Sequence, residues 1–176
     1  MENLENCDIV CYSDAALGNL NDGTSSTGGY IVFLRDRTSN KSCVIDWQSN
    51  KIKRVVNSTL AAESLALIDG IHASLLVREL IVTVTNINSD KLEIMCIVDN
   101  KSAVLAANTT TNVSDKRLLR DIATIKELVN SKEVKRIEWL PGDQQLANVL
   151  TKRGANGYDL WKVVQSGDLS GFLPIH

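Results

Sequence analysis

The 176-residue chain lacks any apolar run long enough to cross a bilayer; stretches such as Leu75 to Val77 fall far short of the ~20 residues a spanning helix needs. It also lacks a CxxC pair. Its four cysteines, Cys7, Cys11, Cys43 and Cys96, lie in apolar, strand-like segments, which predicts buried free thiols in a reducing compartment rather than disulfides or zinc ligands. A basic surplus is missing as well: 19 Lys and Arg stand against 21 Asp and Glu, a net charge of −2, so bulk charge does not point to nucleic acid. The opening Met1-Glu2-Asn3-Leu4-Glu5-Asn6 is acidic and polar, unlike a secretory signal, and an intracellular protein is expected. No linker, internal repeat or low-complexity segment interrupts the chain, which is read as one domain over residues 1–176, with an extension at 1–6 and a tail at 157–176. Apolar residues at 44% and charged residues at 23% fit a globular protein with a sizeable core.

What is present is an ordered series of patterned segments. Residues 7–14 (CDIVCYSD) read as a strand, followed by a polar Gly, Asn, Ser and Thr stretch over 18–29. Residues 29–34 and 41–48 form two further strands separated by a turn at 36–40, so the chain opens with a three-stranded meander. Residues 58–82, almost free of breakers, form a long helix capped by Asn57 or Ser58, with Leu60, Leu67, Ile71, Leu75 and Leu76 on its apolar side. A buried strand is expected at 92–98 and a short helix at 101–107. A helix at 114–130, capped by Ser114, turns Leu118, Leu119, Ile122, Ile125, Leu128 and Val129 inward. A fifth strand spans 134–140, a helix 144–152, and a looser tail runs to His176. The order β-β-β-α-β-α-α-β-α implies an α/β fold, a five-stranded mixed sheet with helices on its faces.

Three acids fall at telling places on these elements. Asp14 ends the first strand, Asp99 ends the fourth, and Glu63 sits in the otherwise apolar stretch from Leu60 to Ile68 of the long helix. Strand ends of an open α/β sheet are where sites gather, and a charge in an apolar helix stretch is costly unless it is paired. Grouped carboxylates repel one another unless hard cations neutralise them, and Mg²⁺ prefers oxygen ligands. Two such ions, about 3.5–4 Å apart, can hold the attacking and leaving oxygens of a phosphodiester in line.

Around the acids stand Tyr12-Ser13-Asp14-Ala15, Asn57-Ser58-Thr59-Leu60-Ala61-Ala62-Glu63-Ser64, Asp99-Asn100-Lys101-Ser102-Ala103 and Gln145-Leu146-Ala147-Asn148-Val149-Leu150-Thr151-Lys152, with Ser26-Thr27-Gly28-Gly29-Tyr30 and Trp47-Gln48-Ser49 between them. Together these resemble the ribonuclease H domain of copia-type retrotransposons, whose motifs read YSDAD, SSTEAEY, DNxSA and QLADxLTK; the similarity runs from about Cys7 to Gly157. The resemblance implies an RNase H-like fold and cleavage of the RNA strand of RNA–DNA hybrids with two Mg²⁺ ions, for which Mn²⁺ substitutes. It implies that Asp14 bridges both ions, that Glu63 and Asp99 complete the leaving-group ion, and that the fourth ligand, an Asp in the family, is here Asn148. By motif position, Ser58, Thr59, Asn100 and Lys101 are expected to contact the hybrid, with Lys51, Lys53 and Arg54 on its phosphates; capping is the competing role for Ser58. The resemblance also implies a reverse transcriptase domain of the same polyprotein as partner and a retrotransposon particle as location.

Asn148 keeps an oxygen at the fourth position but loses its charge, so weakened activity is expected. Asp143 is a candidate substitute whose competing role is a helix N-cap. The segment Pro141-Gly142-Asp143-Gln144 has no histidine, unlike the corresponding loop of many cellular and retroviral relatives; the chain's two histidines are His72, read as a packed or surface residue, and His176. Two rival readings are a non-catalytic, hybrid-binding module and an integrase-type nuclease, the latter disfavoured because its third acid sits on a late helix rather than where Glu63 lies.

Overall fold

The structure is a computed structural model, and it describes residues 4–20, 25–109 and 114–174. Strands β1 (Cys7–Ala16), β2 (Thr27–Asp36) and β3 (Ser42–Lys51) form the expected meander, each antiparallel to the next. Helix α1 (Thr59–Thr85) leads to β4 (Glu93–Val98); α2 (Lys101–Asn108) and α3 (Lys116–Asn130) lead to β5 (Arg136–Trp139). Both β4 and β5 are added in parallel, giving one mixed sheet in the order β3-β2-β1-β4-β5. The sheet, and the neighbouring positions of Asp14 and Asp99 at its β1 and β4 ends, are as the pattern predicts.

Each face of the sheet carries its own core. On one, Ile9, Cys11, Val32, Ile94 and Cys96 meet Leu67 and Ile71 of α1. On the other, Val10, Tyr12, Ile31, Phe33 and Ile97 meet Leu146, Val163 and Leu169 from the C-terminal part of the chain. Gly70 lets α1 lie close on the sheet, since a Cβ there would stand 2.7 Å from the Cys11 sulfur. Ser58, not Asn57, caps α1, accepting from the Ala61 N–H at 3.1 Å.

Several expectations are corrected. Leu76 is 61% exposed, because the buried stripe of α1 runs through Glu63, Leu67, Gly70, Ser74 and Val77 instead. Leu119 is likewise half out of the core of α3. Asp115, not Ser114, caps α3, accepting from the Arg117 and Leu118 N–H groups. Cys43 is exposed because it lies on the edge strand β3, while Cys7, Cys11 and Cys96 are buried and all four are free. The single helix expected at 144–152 is a 3₁₀ turn at Gly142–Gln144 and a one-turn α4 (Asn148–Thr151). Helix propensity gives way there to Gln145, whose side chain is drawn into the sheet. The tail carries α5 (Tyr158–Ser166), whose Val163 packs into the second core. Beyond it, the tail is tied back by the Ser42 N–H on the Gly167 carbonyl and the Tyr12 hydroxyl on the Phe172 carbonyl.

Candidate metal centre

Register brings the acids together. β1 and β4 pair in parallel as far as Tyr12 opposite Ile97, so Asp14 and Asp99 emerge side by side just beyond the paired residues. Glu63, one turn into α1, reaches the same end of the sheet. One carboxylate oxygen from each of Asp14, Glu63 and Asp99 lies within 4.8 Å of the others.

The environment is buried. Asp14 is fully covered and Glu63 is 2% exposed. The Ala15 N–H supports the Glu63 carboxylate, yet its Oε2 is enclosed with no hydrogen-bond partner among the described residues. Burial, then the charges of Asp14 and Asp99, push the Glu63 carboxyl up to about 9. Burial also raises Asp14, against the opposing effect of the Thr151 hydroxyl and the Lys152 ammonium. A buried acceptor oxygen with nothing to accept from, beside two more carboxylates, fits a hard cation. Asp14, Glu63 and Asp99 are the residues that would hold it.

The remaining wall comes from the segment after β5. Gln145 is buried where β1 and β4 part; its Nε2 donates to the Ser13 carbonyl at 3.1 Å and the Ile97 carbonyl at 3.3 Å, and its Oε1 accepts from the Ala147 N–H at 3.2 Å. Gly29, opposite Asp14 across the β1–β2 ladder, makes room for this segment, since a Cβ there would lie 2.9 Å from Leu150 Cβ. So seated, Thr151 donates its hydroxyl to Asp14 Oδ2. Asn148 turns its Nδ2 to the Gly142 carbonyl and its Oδ1 to the Lys152 ammonium. That ammonium lies 3.3 Å from Asp14 Oδ1 and 3.7 Å from Asp99 Oδ2.

The other predicted residues are arranged as follows. Ser58 and Asn100 cap α1 and α2, Asn100 accepting from Ser102 and Ala103 N–H groups, and exposed Thr59 and Lys101 begin those helices. Lys101 stands 4.1 Å from the centroid of the Trp139 ring. Lys51 and Lys53 are exposed near the end of β3, and Arg54 is bound to Asp121 of α3 by both guanidinium NH groups. Asp143 is exposed in the 3₁₀ turn and caps no helix, because α4 starts after Ala147 without a side-chain cap. His72 is exposed on α1, and His176 lies outside the described residues.

Four contributors escaped the sequence reading: Thr151, Lys152, Gln145 and Trp139. Thr151 and Lys152 are marked in the sequence only by their membership of the last motif.

No family model and no curated protein matches the sequence. Solved structures do match it. The N-terminal RNase H domain of a Mycobacterium tuberculosis protein aligns with a TM-score of 0.57 at 18% identity, covering 93% of this chain and 98% of that one. RNase H1 from the halophilic archaeon Halobacterium salinarum gives 0.54 at 15%, covering 86% and 98%. LC11-RNase H1, isolated from compost and solved in complex with an RNA/DNA hybrid, gives 0.54 at 18%, covering 82% and 94%. The chain has the RNase H-like fold.

Proposed function

We propose that the chain, residues 1–176 taken as one domain, is a metal-dependent ribonuclease H that cuts the RNA strand of RNA–DNA hybrids, weakened at the Asn148 position. The observation that carries this reading is the enclosed, partnerless Oε2 of Glu63 beside Asp14 and Asp99. Three carboxylates so close are stable together only when protons or cations offset their charge. Asp14, Glu63 and Asp99 would hold divalent ions, and Asn148 would offer only a neutral amide oxygen at the fourth position. When bound, a pair of Mg²⁺ ions, or Mn²⁺ in their place, neutralises the phosphodiester and acidifies the attacking water. The chain's own groups orient this chemistry: Thr151 fixes the Asp14 carboxylate and Gln145 seats the Asn148 turn against the strand ends.

Hybrid recognition is assigned to Ser58, Thr59, Asn100 and Lys101 near the acids, with Lys51, Lys53 and Arg54 on phosphates. Arg54, held by Asp121, acts from a fixed position rather than by swinging in. A structural neighbour bound to an RNA/DNA hybrid supports the substrate class. The motif resemblance supports a copia-type retrotransposon origin, a reverse transcriptase domain as partner and a particle within the cell. Among the described residues no helix is long and apolar enough to cross a membrane.

The rival reading is a hybrid-binding module without catalysis, favoured by Lys152 lying among the carboxylates. A hybrid with labelled RNA, incubated with Mg²⁺ or Mn²⁺, separates the two. Cleavage that Asp14→Asn abolishes is the expected result; tight binding with no cleavage under either ion supports the rival.

A further inference from the structure

The acid cluster already contains a cation of the chain's own. Lys152 Nζ is 3.3 Å from Asp14 Oδ1 and 3.7 Å from Asp99 Oδ2, and it donates to Asn148 Oδ1. The amide at 148 suits this contact. Its Nδ2 is committed to the Gly142 carbonyl, which leaves Oδ1 as the acceptor facing the lysine. A carboxylate at 148 has no N–H for Gly142 and would put two acceptor oxygens at that carbonyl and the ammonium. Asn148 and Lys152 therefore work as a pair, one at the start of α4 and the other just past its end, with the lysine placing a positive charge on the side where a fourth carboxylate would have drawn a metal ion.

Resting on the ribonuclease H reading, we propose that Lys152 is a tethered counter-ion that occupies the Asn148 side of the acid cluster and competes with divalent cations for Asp14 and Asp99. Glu63 Oε2 is left for a diffusible ion, because it accepts no hydrogen bond from Lys152 or any other described residue. The lysine side chain is 44% exposed, so it can swing out when hybrid phosphates or a higher ion concentration compete for it. The device sets an ion threshold: the lysine offsets part of the cluster's negative charge at low divalent concentration and is displaced as the concentration rises. A like-charged neighbour so close to a bound ion works against ion binding.

Calorimetric titration of the metal-free chain with Mn²⁺ tests this, alongside Lys152→Met, Lys152→Arg and Asp14→Asn. Lys152→Met is expected to bind Mn²⁺ at least tenfold more tightly than the parent, and Lys152→Arg to stay within about threefold of it. Thermal melting adds a readout that a merely structural lysine would not move. Mn²⁺ should raise the melting temperature of Lys152→Met more than that of the parent, whereas a packing role would lower both curves alike. Unchanged or weaker Mn²⁺ affinity in Lys152→Met overturns the proposal. Mn²⁺ binding that survives Asp14→Asn refutes the metal-site reading itself, a failure distinct from that of the lysine.

Discussion

Trp139 Nε1 donates to the main-chain carbonyl of Asp99 at 3.0 Å, and the face of the same ring carries the Lys101 ammonium 4.1 Å from its centroid. One indole on β5 thus braces the residue just after β4 and the first residue of α2, on either side of Asn100. A cation over an aromatic face is worth roughly 0.5–1 kcal/mol at an exposed site, and a neutral hydrogen bond about as much.

Trp139→Phe keeps a ring under Lys101 but removes the donor to Asp99. It is expected to cost about 1 kcal/mol of stability and to weaken Mn²⁺ binding several-fold, because Asp99 loses its brace. Urea denaturation and Mn²⁺ titration measure the two effects; an unchanged affinity would separate Trp139 from the site.

Gln145→Leu should destabilise the chain by about 2–3 kcal/mol. The change withdraws a donor from two strand-end carbonyls and an acceptor from the Ala147 N–H in a buried place. Since Gln145 also seats the segment that carries Asn148, Thr151 and Lys152, Mn²⁺ affinity should shift as well. Stability loss without any shift in affinity would show that α4 docks independently of this side chain.

The contrast between Gln145 and Asp14 shows what the sequence makes legible. Asp14, Glu63 and Asp99 declare themselves through local position, two at strand ends and one in an apolar helix stretch, and the β-β-β-α-β order follows from periodicity and breakers alone. Gln145 does not, because its partners Ser13 and Ile97 are far away in the chain and only the opening between β1 and β4 gives it a role. The same holds for Lys152, whose exposed-looking Lys-Arg context conceals an ammonium 3.3 Å from Asp14. Local rules also overextended the last helix: residues 144–152 have helical composition, but burying Gln145 and Leu146 draws the backbone out of register. The helix in the tail is not legible in the sequence because its apolar face is short, with Val163 its only buried position.

Stability of the metal-free chain should fall as pH rises. The Glu63 carboxyl is raised from an ordinary value of 4.5 to about 9, so the folded chain holds a proton that the unfolded chain has released. Its contribution is full below the unfolded value and is lost as pH climbs through that window, an effect on the order of a few kcal/mol. Asp14, also raised, adds in the same direction. Melting in chelator at pH 5, 7 and 9 should show the decline. Glu63→Gln should flatten it, and an equal slope in that variant would place the linked proton elsewhere.

Restoring the missing charge is the sharpest test of how the centre works. Asn148→Asp adds a carboxylate where the parent has an amide, taking the group formed by Asp14, Glu63, Asp99, residue 148 and Lys152 one unit more negative. Ion affinity in such a site follows charge, so cleavage of a labelled hybrid under Mg²⁺ should rise strongly. Hybrid affinity should change little, because it is spread over phosphate and 2′-hydroxyl contacts along several nucleotides. Mn²⁺, which generally binds such sites more tightly than Mg²⁺, should partly rescue the parent and so narrow the gap between the two proteins. The new carboxylate also faces Lys152, which will hold part of its charge. Asn148→Asp combined with Lys152→Met should therefore reach half-maximal rate at a lower Mg²⁺ concentration than Asn148→Asp alone. Equal rates for the parent and Asn148→Asp would mean that another group, with Asp143 in the adjacent turn the nearest candidate in sequence, already serves as the fourth ligand. No cleavage by any of them, with hybrid binding intact, would leave the chain a binding module.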